Sequence, residues 1–482
     1  MFNFDLKAAA RREMVDDGFE PDFSPEARQQ AAALQAHPAP IPSNSRDLRA
    51  LPWSSIDNDT SRDLDQIEVA ERLPDGSIRI LIGIADVDAS VPKGSPIDAH
   101  AANQTTTIYT GVRNFSMIPD ELSTGLTSLL ENIDRACMVV DLVVANDASI
   151  LSSDVYPALV RNRAQLTYNG VGAWLEGTAQ APPKAAQSPE LREQLKLQDE
   201  AAQILRAARY RSGALNIDSI ETQAVLENGH VTGIESVRKN RASDLIEDFM
   251  IAANGVTARL LHDRHVSSIR RVVKTPERWP RIVELAAKLG EKLPETPDSG
   301  ALNAFLLKRK AADPMHSADL SLAVVKLMGP GEYVLDRPGD PEQGHFGLAV
   351  HDYTHSTAPN RRFADLVTQR LLKAAIAHQP PPYSDDELAG IARNCTLKED
   401  AARKVERAMT KRISAAALQS RIGQSFRAVV TGVTPKGTFV RVLDPAVEGR
   451  LMRGEAGVDV GDVVQVKLVR TDVQRGFIDF ER

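Results

Sequence analysis

The sequence predicts an α+β fold, a mixed sheet with helices packed onto it, followed by a small all-β barrel. Strand-like apolar runs crowd the first half of the chain, and helical spacing of apolar residues dominates 242–420. The last sixty or so residues then break into short strand patterns separated by turn residues. At 482 residues, with 42% hydrophobic and 26% charged residues, the composition is that of a soluble globular protein. That length suits roughly two to four domains.

Residues 1–36 are polar and rich in Ala, Glu and Arg, which predicts one or two short helices. The run 37–43, with three prolines, breaks helix and reads as a linker, so 1–46 forms a short N-terminal segment. From 47 to 421 no second linker is visible, and 177–188, with Pro182 and Pro183, reads as an exposed loop. Glu68 and Val69 enter a strand that turns at Pro74-Asp75-Gly76, and the β-branched run 79–87 reads as a buried strand. Helices are predicted over 242–261, 278–289, 362–377 and 385–420. In 422–482, strands at 426–433, 437–443, 449–452, 463–469 and 476–480 suggest a barrel of the OB type.

Charge is uneven between these parts. Residues 421–482 hold ten Lys or Arg against eight Asp or Glu, a balance of +2 that leaves −9 on the rest of a chain of net −7. Overall charge therefore gives no pull on nucleic acid, but the barrel is positively biased. Phe426, Phe439 and Phe477 either offer stacking platforms for single-stranded nucleic acid or fill the barrel. Two cysteines, Cys137 and Cys395, supply no disulfide framework and no metal-ligand spacing, which suits a reducing cytosol and two small buried hydrophobes. No apolar run approaches the ~18 residues of a membrane span and no signal peptide is evident, so a cytoplasmic protein is expected.

The densest chemistry lies at 56–68, where Asp57, Asp59, Asp63, Asp65 and Glu68 put five carboxylates into thirteen positions. Crowded anions repel unless a cation balances them, and hard oxygens suit Mg²⁺, Mn²⁺ or Ca²⁺. The bland alternative is an acidic solvated turn. A calcium loop is a sharper rival, because Asp57, Asp59, Ser61, Asp63, Asp65 and Glu68 fall on its ligand positions, yet Arg62 stands where that loop needs glycine. His351 and His355 have the i, i+4 spacing of a zinc pair, but no Glu follows the first and the β-favouring, Pro-containing surroundings argue against a helix. They and His345 read as structural or RNA-contacting.

The blocks as a set resemble the ribonuclease II/R (RNB) family of exoribonucleases. They are Ile56-Asp-x-x-x-Ser-x-Asp-x-Asp65, Gly83-Ile-Ala-Asp-Val-Asp88, Ser116-Met-Ile-Pro-Asp-Glu-Leu-Ser123 with Ser128-Leu-Leu130, and Gly213-Ala-Leu-Asn-Ile-Asp218. Leu245 to Asn254, Gly344-His-Phe-Gly-Leu348 and Tyr353 to Val367 follow in the same order. The barrel, with Gly432-Val-Thr-Pro-Lys-Gly-Thr-Phe-Val440, resembles the S1-type RNA-binding domain that ends such enzymes.

The resemblance implies an RNB catalytic domain over 47–421 and a Mg²⁺-dependent, processive 3′-to-5′ exoribonuclease releasing nucleoside 5′-monophosphates, with Mn²⁺ as a possible substitute. Its partner would be RNA with a 3′ end, single-stranded or as a tailed duplex, and the protein a monomer. Asp57 and Asp63 resemble metal ligands, Asp63 and Asp65 catalytic carboxylates, and Arg361 the arginine that faces the scissile phosphate near a helix start. Tyr109 matches a ring that stacks on the terminal base, while the opposing aromatic position holds Ile217. Glu247 matches an acid near the sugar, with a structural ion pair as the alternative. Arg362 is expected at the surface or on a backbone phosphate, and Phe439 on RNA. Gln66 departs from the family, which has a fourth Asp there, so one metal position gains a neutral oxygen instead of a charge. A catalytically silent RNA-binding member, with Gln66 as its symptom, therefore stays open beside the active enzyme, as does a calcium-regulated binding protein.

Overall fold

The computed structural model describes residues 4–482 apart from 219, 228, 229, 315, 342 and 436, so Lys436 of the glycine-bearing barrel block lies outside the described residues. Two helices open the chain, α1 (Leu6–Asp16) and α2 (Pro25–Ala36). Their starts are fixed by Asp5 and Ser24, whose side chains accept from the backbone N–H of Ala8 and Ala27.

The main sheet has seven strands: β1 (Arg46–Asp47), β2 (Ser54–Asp57), β3 (Gln66–Arg72), β4 (Ile78–Ala85), β7 (Asp134–Val144), β8 (Ile150–Arg161) and β9 (Ala164–Thr167). Their order is β1-β8-β7-β4-β3-β2-β9, mixed in direction because β1 and β9 pair parallel with β8 and β2. Outside it, β5 (Ile108–Tyr109) and β6 (Asn114–Phe115) form a small hairpin. The turn of that hairpin uses Gly111 at φ +77°, where a side chain would also strike Ile413.

Both faces of the sheet are covered, which is why its central strands read as nearly continuous apolar runs. Ile67, Val69, Leu81 and Val139 face one core, shared with α3 (Pro96–Gln104), α11 (Phe363–Ile376) and α12 (Asp385–Leu418). Ile80, Ile82, Val140 and Leu142 face the other, under α4 (Tyr168–Leu175), α6 (Pro189–Arg211) and α7 (Arg241–Asp263). Gly172 lets α4 close onto α7, since a Cβ there would lie 2.4 Å from the Asn240 side chain that caps α7. A third cluster gathers α8 (Trp279–Lys288), α9 (Ser299–Ala312) and α10 (Ser317–Met328), and Ile217 packs against it. Strands β12 (Ser268–Val272) and β13 (Glu332–Asp336) pair beside α12.

The four expected helices are present with ends shifted by one or two residues. The expected loop 177–188 is corrected in part: Pro183–Gln187 forms the short helix α5 with Ala185 buried. Proline suits a first helical turn, so the Pro182-Pro183 pair that suggested a loop opens a helix.

The C-terminal strands β14 (Ser425–Thr434), β15 (Gly437–Leu443), β16 (Ala446–Arg453), β17 (Val463–Asp472) and β18 (Phe477–Glu481) close into a barrel in the order β14-β15-β16-β18-β17. Phe426 is buried edge-on against Phe480, with ring centroids 6.4 Å apart, so it fills the barrel and is no platform. Phe439 is half-buried and Phe477 exposed. Ala415 and Leu418 of α12 belong to the same barrel core. The hairpin of β10 (Ile220–Glu227) and β11 (His230–Arg238) braces the barrel from the other side, where Ser236 Oγ accepts from the Ala446 N–H at 3.3 Å. Among the described residues no helix is long and apolar enough to cross a membrane.

Candidate active site

The acidic loop joins β2 to β3, so strands flank it where a helix–loop–helix calcium unit would need helices. Asp57 ends β2 and starts a local turn, its Oδ1 accepting from the Asn58 N–H at 2.7 Å and Ser61 Oγ at 2.8 Å. Asp59 turns outward to Asn169, whose Nδ2 donates at 2.6 Å. Both departures leave the calcium-loop reading without support. The far end of the loop is pinned by Ser128, which accepts from the Leu64 N–H and donates to the Arg62 carbonyl. Leu64 is fully buried, which fixes Asp63 and Asp65 on either side of it.

Asp65 meets the turn before α11. Its Oδ1 accepts from the Asn360 N–H at 3.1 Å and its Oδ2 from Arg361 Nε at 3.2 Å. That turn is rigid for visible reasons. Asp365, wholly buried, accepts from the Ala358 N–H and from two guanidinium nitrogens of Arg362. The Asn360 side chain accepts from Thr127 Oγ1 at 2.6 Å. Lower down, Asp86 and Asp88 at the end of β4 pair with Lys373 and Arg370, docking α11 so that its first turn faces the loop.

Tyr109 closes the third side. Its hydroxyl donates to Asp63 Oδ2 at 3.0 Å, and its backbone N–H donates to Glu406 of α12 at 3.2 Å. The Tyr109 side chain remains exposed. The Thr107 N–H donates to the Arg361 carbonyl at 3.0 Å, so the backbone ties the segment leading to Tyr109 to the turn carrying Arg361.

Burial dominates the electrostatics. It pushes the Asp65 carboxyl up to about 7, against the pull of Arg361, and raises Asp57 as well. Glu68 on β3 is raised well above the carboxylate range by burial, and then by the charge of Asp57. Both of its carboxyl oxygens are enclosed with no hydrogen-bond partner.

The structure therefore brings Asp57, Asp63, Asp65, Arg361 and Tyr109 together. Gln66 opens β3 beside them, 7% exposed. Arg362 is corrected from a surface position: its side chain is 23% exposed and its guanidinium is spent on Asp365. Glu247 pairs with Lys239 at 2.5 Å, the structural alternative raised for it. His351 and His355 lie on irregular backbone, and the His355 ring meets the Tyr333 hydroxyl at 2.8 Å. Both cysteines are buried, and burial pushes Cys395 up to about 12, which rules out a ready thiolate. Sequence reasoning missed Thr127 and Glu406, and marked Ser128 only within a family-like block, since the signal of each is a partner far away in the chain.

The donor set fits a divalent cation in kind. It is made of hard oxygens, holds more carboxyls than the single arginine balances, and includes the orphaned Glu68 carboxyl. Among the described residues, no three Asp, Glu, His or Cys side chains already converge as a metal cage.

Comparison with known proteins points to one family. The RNB domain profile matches residues 45–378, and the profile of the RNase II-type exonuclease C-terminal S1 domain matches 424–482. Ribonuclease R of Thermotoga maritima is 30% identical over 472 residues, covering 90% of this chain and 64% of that protein. Ribonuclease R of Vibrio cholerae is 28% identical over 498 residues, covering 95% of this chain and 60% of that protein. This chain thus spans 64% and 60% of the length of these two curated relatives. Among solved structures, the apo form of Mycoplasma genitalium RNase R superposes with a TM-score of 0.86 at 22% identity, covering 99% of this chain and 78% of that one. The same enzyme solved with ribose-methylated single-stranded RNA and with double-stranded RNA gives the same TM-score of 0.86.

Proposed function

Because this chain belongs to the RNB family, we propose that it is a divalent-metal-dependent 3′-to-5′ exoribonuclease that degrades RNA processively to nucleoside 5′-monophosphates. The observation that carries this reading is the contact of Asp65 with Arg361, which sets an acidic loop against a guanidinium at one rigid point. Phosphodiester hydrolysis needs that pairing of opposite roles. A guanidinium braces two phosphoryl oxygens and stabilises the extra negative charge of the transition state. The Arg361 side chain is 41% exposed, so it can turn toward a phosphate, while the buried Asp65 it leaves keeps the Asn360 N–H.

Mg²⁺, with Mn²⁺ as a substitute, would be held by Asp57, Asp63 and Asp65 with Gln66 beside them, and would supply charge neutralisation and polarisation of water. Tyr109 stacks on the terminal base while its hydroxyl holds Asp63. Glu247 exchanges Lys239 for a ribose hydroxyl, and Phe439 offers a partly exposed ring to RNA. Arg362, clamped to Asp365, holds the turn that presents Arg361. The work divides among an N-terminal helical segment at 1–46, a catalytic domain at 47–421 and an RNA-anchoring barrel at 422–482. The partner is RNA with a free 3′ end, single-stranded or as a tailed duplex, and the protein acts as a cytoplasmic monomer.

The test is a time course on 5′-labelled single-stranded RNA and on a tailed duplex, with and without Mg²⁺. Mononucleotide release that depends on the metal is the expected result. RNA binding without release would favour the catalytically silent reading, which rests on Gln66.

A further inference from the structure

Tyr109 stands on an element too small to hold itself. Strands β5 and β6 have two residues each, and an isolated hairpin of that length is not stable in water. Residues alternate across a strand, so Tyr109 faces the acidic loop while Ile108 faces inward. Ile108 and Phe115, one from each strand, are 0% and 3% exposed, against 40% for Tyr109. What seats the ring is therefore what packs with Ile108 and Phe115.

Those two side chains join neither core of the main sheet. They belong to a separate cluster with Ala402, Val405 and Met409 of α12 and with Ala9, Ala10, Met14 and Phe19. The matched RNB profile begins at residue 45, yet α1 and Phe19 just beyond it supply four of the nine buried side chains here. Polar ties lock α1 in place. Glu13 accepts from Arg412 Nη2 at 2.6 Å, and Arg412 Nε donates in turn to the Gln474 carbonyl of the barrel at 3.0 Å. The Gly18 carbonyl accepts from Lys398 Nζ at 2.6 Å. These two ties to α12 bracket Met14 in the sequence, and Met14 is fully buried.

We propose that α1 is a positioning element of the active site, in which Met14 sets through the β5–β6 hairpin where the Tyr109 ring stands against the terminal base. This rests on the reading of Tyr109 as a stacking platform given above. The bonds of Tyr109 to Asp63 and Glu406 hold its hydroxyl and main chain, and the tilt of the ring follows the hairpin. A hairpin that settles into a cavity at Met14 carries the ring off its base. Grip on a short RNA end, made of few contacts, is the first thing to weaken.

The experiment is exhaustive digestion of a 5′-labelled oligonucleotide by the full chain, with steady-state kinetics on short and long RNA. Met14→Ala should leave longer end-products and raise KM on a short oligonucleotide by about tenfold, part of what a stacked base is worth. Its kcat on long RNA should stay near wild type. Met14→Leu, which nearly conserves volume, should restore the wild-type ladder. In a Tyr109→Ala background Met14→Ala should lengthen nothing further, as expected of two residues serving one contact. Leu195→Ala opens a comparable cavity in the core under α6, and should lower the melting temperature with an unchanged ladder. Should Met14→Ala not fold, Glu13→Gln weakens the tie of α1 to Arg412 and should shift the ladder the same way. An unchanged ladder and KM in the folded variant would overturn the proposal. So would the same lengthening in Leu195→Ala, or an added lengthening on top of Tyr109→Ala. A Tyr109→Ala protein with the wild-type ladder would instead defeat the stacking reading, and the proposal with it.

Discussion

Arg361 Nε lies 3.2 Å from Asp65 Oδ2, joining the acidic loop to a turn almost three hundred residues later in the chain. The pair is unequal. Asp65 is buried and fixed from two sides, whereas the arginine is partly open and can move. In the proposed reaction, a phosphate entering the site would compete with Asp65 for the guanidinium, and releasing Asp65 would free an oxygen for other work. Substrate arrival and release of the carboxylate would then be one event.

Asp65→Asn should reduce RNA hydrolysis by orders of magnitude and leave RNA binding near wild type, as expected when a charged group is lost next to the reacting atoms. Stability gives an independent readout. With its folded pKa raised to about 7, Asp65 stabilises the metal-free fold fully below the ordinary carboxylate pKa, and that contribution is lost as pH rises through about 7. The metal-free Asn variant should therefore melt with wild type near pH 4 and above it at pH 8. A constant offset between the two melting curves would contradict the raised pKa.

Tyr109 combines a ring and a hydroxyl that can be separated. Tyr109→Phe keeps the stacking surface and loses the bond to Asp63, whereas Tyr109→Ala loses both. If the ring grips the terminal base, worth about 1–3 kcal/mol of stacking, only the Ala variant should leave longer end-products from a digested oligonucleotide. The Phe variant should keep the wild-type ladder with a slower rate. Identical ladders from all three proteins would make the ring a packing residue.

The clamp between Arg362 and Asp365 predicts a different pattern. Asp365 is wholly buried and holds both the Ala358 N–H and the guanidinium, so Asp365→Ala strands a partly buried charge. Removing one member of such a pair costs about 3 kcal/mol or somewhat more, measurable by urea denaturation. Arg362→Ala should likewise lower stability while leaving the salt dependence of RNA binding nearly unchanged. A clear loss of salt slope without loss of stability would return Arg362 to the phosphate backbone.

What was legible in the sequence followed from local pattern. Five acids in thirteen positions announce the loop, a nearly continuous β-branched run announces β4, and apolar residues at helical spacing announce the later helices. The long-range pairings were not legible from the residues themselves. Nothing local in Ser128 marks it as the pin of the acidic loop, or in Glu406 as the acceptor for Tyr109. The arginine at 361 stood out only through its resemblance to a family motif. The loop expected at 177–188 holds only up to Pro182, because proline breaks a helix interior but starts a helix well, and Ser188 then caps α6.

The barrel gives the last prediction, and α12 complicates it. This helix of 34 residues, roughly 50 Å long at the α-helical rise, touches three cores in turn. Leu388 packs under the sheet, Val405 and Met409 pack on α1, and Ala415 and Leu418 enter the barrel. Ending the chain near Gly423 removes the positively biased barrel but bares the end of α12, so the truncation should carry Leu418→Gln to remain soluble. Asp57, Asp63, Asp65 and Arg361 keep all their mutual contacts in this variant. Long single-stranded RNA should bind more weakly and with a shallower dependence on salt, because fewer phosphate contacts release fewer counterions. Mononucleotide release should persist at saturating RNA, with more frequent dissociation between steps. Circular dichroism and melting establish that the remainder is folded, after which full affinity and an unaltered salt slope would mean that the barrel does not anchor RNA.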